Sequence, residues 1–171
     1  NRSMRQIYLD HASITPTDKR VSRVMKKYSH PRYGNPSSIH SAGVLAKQVV
    51  AESRKQCGDF LRAHSDEIVF TASGTEANVL AIEGVVRQLL ASGRAYADMH
   101  IITSKIEHQS ILEPVAYLAR LGVKVDYVEV DSSGIFDLDD LKRKLCQETV
   151  LVSLMMANNE IGTVQPIREI A

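Results

Sequence analysis

Residues 67–78 read Glu67-Ile68-Val69-Phe70-Thr71-Ala72-Ser73-Gly74-Thr75-Glu76-Ala77-Asn78. The first five are a short apolar run of β-formers, expected as a strand. Ser73-Gly74-Thr75-Glu76 then makes a tight start, and helical spacing resumes at Ala77, Leu80, Ala81, Val85 and Leu89, with Gly93 as the expected stop. Strand, turn and helix follow without a linker, and the rhythm repeats downstream. Residues 99–104 read as a second strand. Glu107-His108-Gln109-Ser110 opens a helix with Ile111, Leu112, Val115, Tyr117 and Leu118, ending at Gly122. Residues 123–130 are a third strand, followed by a turn at 131–134. Asp137 caps a short helix carrying Leu138, Leu141 and Leu145. Residues 150–155 are a fourth strand. Strands alternating with helices of this length predict an α/β protein, a three-layer α/β/α arrangement with right-handed crossovers and a mainly parallel sheet.

Upstream of this stretch the reading is helical. Residues 7–10 form a short extended piece of an N-terminal arm, residues 1–16. Thr17 is expected to open a helix with Val21, Val24, Met25 and Tyr28 on its apolar face. The loop 31–38 is dense in turn residues. A longer helix over 39–61 is expected to bury a stripe of Ala42, Leu45, Ala46, Val49, Val50, Ser53, Cys57, Phe60 and Leu61. Met4 is expected to be the native start.

Composition narrows the function classes. A chain of 171 residues is long enough for one domain with a substantial core. Lys and Arg number 21 against 20 acids, so no overall charge excess favours nucleic acid or an anionic membrane. Two cysteines make no disulfide framework, and no Cys/His cluster suggests a metal. No apolar run reaches bilayer length, and no signal-peptide core precedes the first helix. These features predict a soluble, cytoplasmic protein.

In parallel α/β sheets ligands bind beyond the carboxyl ends of the strands. Three strands here end there in polar residues: Ser73 to Glu76, Lys105 to His108, and Asn158-Asn159. Ser73 and Glu76 have the spacing of a capping box. Gly74 and Thr75 would then present free N–H groups at a helix N-terminus, a ready anion site, although any helix needs such a cap. No Gly-Lys-Ser/Thr and no G-x-G-x-x-G is present, so the ordinary nucleotide sites are unsupported. His108 could stack on a flat ring or move protons, or simply be satisfied by backbone. Asn159 can donate to and accept from a ring substituent, whereas the Asn158-Asn159 pair also suits a plain turn. Cys57 reads as a core residue, and nothing local marks Cys146 as a reactive thiol. His40 reads chiefly as a packing or capping residue.

Together these motifs resemble the cysteine desulfurases of the NifS/IscS-like branch of the class V aminotransferases, fold-type-I enzymes of pyridoxal 5′-phosphate. The resemblance rests on Tyr8-Leu9-Asp10 leading to Thr15-Pro16; on Gly34-Asn35-Pro36-Ser37-Ser38 with His40; on Ile68 to Thr71 running into Gly74-Thr75-Glu76-Ala77-Asn78; and on Glu107-His108 followed by Asn158-Asn159-Glu160-Ile161-Gly162. It spans essentially the whole chain. It implies that residues 1–171 are part of the large domain of such an enzyme. It further implies that Gly74 and Thr75 hold the cofactor phosphate, that His108 stacks on the ring and serves catalysis, and that Asn159 bonds the ring's phenolic oxygen. The implied substrate is L-cysteine, which leaves as alanine while its sulfur passes to an enzyme cysteine as a persulfide. That sulfur then goes to an acceptor or scaffold protein, for iron–sulfur clusters or tRNA thiolation. A homodimer is implied, and no metal.

The departures from the family pattern are specific. Val79 stands where a second Asn is common, and Lys105 where a small residue is usual. Lys105, beside His108, is a candidate for an adventitious imine, although a lysine at a strand end ordinarily faces water. The Asp-x-x-Gln strand, the imine-forming lysine and the mobile-loop cysteine of the family have no counterpart in residues 1–171, and Cys57 and Cys146 match no catalytic position. The expectation is therefore that these residues alone bind the cofactor weakly, do not catalyse, and self-associate through apolar sheet edge and dimer surface. The alternatives are a selenocysteine lyase or other class V fragment, and a non-catalytic remnant or split-protein half that binds a partner.

Overall fold

The computed structural model describes residues 7–30 and 32–171. The expected start at Met4, the first six residues of the arm and Pro31 of the turn-rich loop lie outside the described residues. The chain divides into two compact units, Asn1–Phe70 and Thr71–Ala171.

In the first unit, α1 spans Lys19–Ser29, with Asp18 as its N-cap, and α2 spans Ser41–Leu61. His40 caps α2: its Nδ1 accepts the Gly43 N–H at 3.3 Å. The loop before it folds back tightly onto the helix start. A Cβ on Gly43 would lie 2.3 Å from the Ser38 carbonyl oxygen, so only glycine fits there. Two expectations fail in this unit. The apolar faces of α1 and α2 are not buried: Val24 is 55% exposed, and in α2 only Gly43 and Gly58 are buried. An amphipathic helix buries its stripe only against a second layer, and none covers these stripes among the described residues. Residues 67–71 also form no strand. Ser65–Glu67 is a single 3-10 turn, and the extended residues after it have no ladder partner among the described residues. A strand exists only as a paired ladder; here the Ile68 carbonyl accepts instead from Arg54 Nε at 3.0 Å.

The second unit carries the sheet. Its helix α3 spans Gly74–Ala91, followed by β1 (His100–Ser104), α4 (Gln109–Arg120), β2 (Lys124–Val128), α5 (Leu138–Lys144), β3 (Thr149–Val152) and α6 (Ile167–Ile170). The strand order is β2-β1-β3, all parallel, as the alternating pattern predicts. His100 to Ser104 pair in register with Lys124 to Val128. Against β3 the ladder slips between His100 and Ile101.

β1 is central and wholly buried, and successive residues serve opposite faces of the sheet. Ile101 packs with Ile82 and Val86 of α3 and with Ile111, Val115 and Leu118 of α4. Ile102 packs with Val128, Phe136 and Leu141 on the α5 side, with Ile170 of α6 beside them. The result is the expected α/β/α layering. Burying each of these isoleucines stabilises the fold by about 1.5–3 kcal/mol. Asp137 caps α5 as expected, accepting the N–H groups of Asp139 and Asp140, both at 2.9 Å. No helix among the described residues is long and apolar enough to cross a membrane.

Candidate functional site

The three polar segments all belong to the second unit; hydrogen bonds join the 105–108 and 158–159 segments directly, and Asn78, two residues past the third, bonds to Ser110 of α4. Ser73 is the N-cap of α3, and its hydroxyl accepts the Glu76 N–H at 3.1 Å. The reciprocal half of the expected capping box is displaced by one residue: the Glu76 carboxylate accepts from the Ala72 N–H at 2.6 Å, not from that of Ser73. The N–H groups of Gly74 and Thr75 have no acceptor among the described residues. A Cβ on Gly74 would meet nothing within 4 Å, so space is open beside the first residue of the helix. Free N–H groups at the start of an 18-residue helix attract an anion through direct bonds and the helix dipole. The Thr75 hydroxyl adds a third donor. These residues fit a phosphate group.

His108 caps α4. Its Nδ1 accepts the Ser110 N–H at 3.1 Å and lies 2.8 Å from the Ser110 hydroxyl. That hydroxyl accepts from Asn78 Nδ2 at 2.8 Å and so has its own proton free to give to the ring. Both bonds make Nδ1 an acceptor, which assigns the neutral ring's proton to Nε2. The capping role is the bland reading of this histidine, and it holds. It also leaves the exposed Nε2 edge and ring face available to a ligand.

The 104–108 loop is tied to the segment after β3. Glu107 is 8% exposed, and its Oε1 accepts the Met155 N–H at 2.7 Å. Burial pushes the Glu107 carboxyl above its ordinary range, opposed by that backbone bond. Asn158 Nδ2 donates to the Ile106 carbonyl at 2.9 Å, and its Oδ1 accepts the N–H groups of Glu160 and Ile161. The two asparagines therefore divide their tasks. Asn158 is buried and builds the turn. Asn159 is exposed, and its amide donates only to Glu160, at 2.9 Å, among the described residues. The positioning roles of Glu107 and Ser110 were missed from sequence. Glu107 carried a faint signal, since an acidic residue beside a strand end reads as solvated. Lys105 is exposed and forms no ion pair among the described residues. No metal-binding cluster occurs among the described residues.

The sequence profile of the aminotransferase class V family matches residues 7–171. A cysteine desulfurase IscS of Dictyoglomus turgidum is 46% identical over 167 residues, covering 98% of this chain and 41% of that protein. A mitosomal cysteine desulfurase of Trachipleistophora hominis is 43% identical over 171 residues, with 99% of this chain and 38% of that protein covered. Among solved structures, a NifS-like protein superposes with a TM-score of 0.85 at 36% identity, over 93% of this chain and 42% of its own. A structure described as SspA in complex with cysteine also gives 0.85, at 34% identity, over 95% of this chain and 46% of its own. The chain thus spans about two fifths of the length of the curated relatives it matches. With the parallel sheet and the strand-end geometry in place, the chain belongs to the aminotransferase class V family, and these relatives within it are cysteine desulfurases.

Proposed function

We propose that residues 1–171 form part of the large domain of a pyridoxal-phosphate cysteine desulfurase and supply its phosphate cradle and ring-facing imidazole. Gly74 and Thr75 hold the phosphate, His108 lies against the ring, and Asn159 bonds the ring's oxygen. The observation that carries this reading is the network from Asn78 through Ser110 to His108. It links the imidazole to the same helix whose first two N–H groups are free.

When bound, the cofactor supplies an electron sink that lets bonds to the substrate's α-carbon break. The rest follows from this chain's own groups. The α3 N-terminus binds and orients the phosphate. Glu107 and Asn158 hold the 104–108 loop against the segment after β3, which sets the position of His108. With its proton on Nε2, the His108 ring can donate a hydrogen bond from its exposed edge and present its face to the cofactor's ring. L-cysteine as substrate and a protein sulfur acceptor follow from the desulfurase relatives, and a homodimer and cytoplasmic location from the family pattern. The names of the relatives favour cysteine over selenocysteine.

Pyridoxine phosphate, which lacks the aldehyde, tests the site without imine formation on surface lysines. Titrated into the isotope-labelled chain, it should shift the Gly74 and Thr75 amide resonances and the His108 ring resonances together. Shifts confined to lysine-rich surface, with the Gly74 amide unmoved, would overturn the assignment.

A further inference from the structure

The opposite end of the sheet holds a second group of reactive side chains. His100, the first residue of β1, is 3% exposed. Its Nε2 lies 3.1 Å from Asp126 Oδ2 on β2. Its Nδ1 faces Thr149 Oγ1 on β3 at 2.8 Å and Cys146 Sγ, in the loop after α5, at 3.3 Å. Thr149 Oγ1 in turn accepts the Cys146 N–H at 3.0 Å and lies 3.4 Å from the sulfur. Cys146 itself is exposed and free. The four side chains come from four segments and converge at the amino ends of the strands, away from the cofactor site.

The proton inventory has one economical solution. Asp126 accepts from His100 Nε2–H, so Nδ1 is the ring's acceptor and faces both the threonine hydroxyl and the thiol. A thiol beside a buried imidazole whose far nitrogen is held by a carboxylate is the arrangement that activates a cysteine nucleophile. One group opposes this. The half-buried Glu148 carboxylate lies two residues from Cys146 and is held below its ordinary range, first by its own backbone N–H and next by the nearby thiol. Its negative charge repels an attacking sulfur anion, and Lys124 and Arg94 lie close enough to Glu148 to lower its own range further.

We infer that Cys146, with His100 as its base and Asp126 orienting that base, is a thiol-modification site that exchanges with low-molecular-weight disulfides. The step balances. The Cys146 S–H proton passes to His100 Nδ1, and the sulfur attacks one sulfur of the disulfide. That S–S bond breaks as the new one forms, and the departing thiolate takes the proton back from His100. The disulfide is the oxidant, and the product is a mixed disulfide on Cys146. This inference is independent of the cofactor reading, because none of its residues belongs to that site.

The test uses the full chain and a chromogenic aromatic disulfide, dithiobis(nitrobenzoate), with peptide mapping to separate Cys146 from the half-buried Cys57 of α2. At pH 7 Cys146 should react more than about tenfold faster than N-acetylcysteine, whose thiol behaves as an ordinary one of pKa about 8.5. His100 is buried in the central strand, so the variants act on the exposed Asp126 and the half-buried Glu148 instead. Asp126→Asn should slow Cys146 by about threefold or more, and Glu148→Gln should quicken it. An unchanged far-ultraviolet circular dichroism spectrum and urea midpoint in each variant report an intact fold. Oxidised glutathione should give the same order at lower absolute rate. Cys146 reacting no faster than N-acetylcysteine, or a rate indifferent to Asp126→Asn, would overturn the inference.

Discussion

Asn78 of α3 and His108 at the start of α4 are joined through one hydroxyl: the asparagine amide donates to Ser110 Oγ at 2.8 Å, and Ser110 Oγ lies 2.8 Å from the histidine Nδ1. This relay couples the helix that carries the free amides to the side chain assigned to the ring. Replacing Ser110 by alanine removes both bonds and leaves the half-buried Asn78 amide without that partner. The expected cost is about 1–2 kcal/mol in urea unfolding. The Ser110 backbone N–H still reaches Nδ1, so ring nitrogen shifts should continue to report the Nε2–H form. An unchanged stability would show that the relay carries no energy.

Glu107 makes the stability depend on pH in a defined direction. Burial raises its folded-state pKa above the ordinary 4.5. The folded chain therefore keeps this proton to higher pH than the unfolded chain. Its contribution is complete below that ordinary value and is lost as pH rises through the folded-state pKa. Glu107→Gln keeps a carbonyl oxygen for the Met155 N–H and removes the titration. Urea midpoints measured across pH should fall less steeply in this window for the variant than for the parent chain.

Asp140 acts with the opposite sign. Its carboxylate is held at about 2 rather than 3.8, chiefly by the Lys144 ammonium and then by the Glu129 N–H. Its contribution is present above 3.8 and is lost as pH falls toward about 2. Asp140→Asn should flatten the acid limb of the stability curve. Circular dichroism during acid titration reads this directly, and identical acid limbs would contradict it.

Core substitutions should follow the layering. Ile101→Ala opens a cavity between β1 and the α3–α4 pair, at an expected cost of about 2–5 kcal/mol. Chemical denaturation followed by far-ultraviolet circular dichroism gives the value. A cost below about 1 kcal/mol would mean that this face is not packed as described.

The sheet was legible in the sequence where local pattern and tertiary context agree. The apolar run at 99–104 became β1, and Asp137 with the leucines behind it became a capped α5, because strand propensity and cap chemistry act within a few residues. The failures lie where a partner decides the outcome. Residues 67–71 have the composition of a strand, but a ladder requires a neighbour. The stripe ending in Phe60 and Leu61 has the spacing of a buried face, but burial requires a second layer; Phe60 is 87% exposed. At the candidate site, the helix starts at Gly74-Thr75 and at His108 were legible from their caps, although no strand precedes Gly74 among the described residues. The division between Asn158 and Asn159 was not, because it depends on which amide reaches Ile106, 52 residues earlier. The Cys146–His100 contact spans 46 residues and leaves no local motif.

The central claim is that the α3 N-terminus binds the phosphate of the cofactor, and Gly74→Asp tests it most directly. A Cβ at Gly74 meets nothing, and an acidic residue in the first turn suits the helix dipole, so stability should stay within about 1 kcal/mol of the parent chain. The new carboxylate would stand where the phosphate is bound. Calorimetric titration with pyridoxine phosphate should show affinity lower by more than about tenfold in the variant, the scale of one lost charge-assisted interaction. Equal affinity of the two proteins, with the variant folded, would contradict the account.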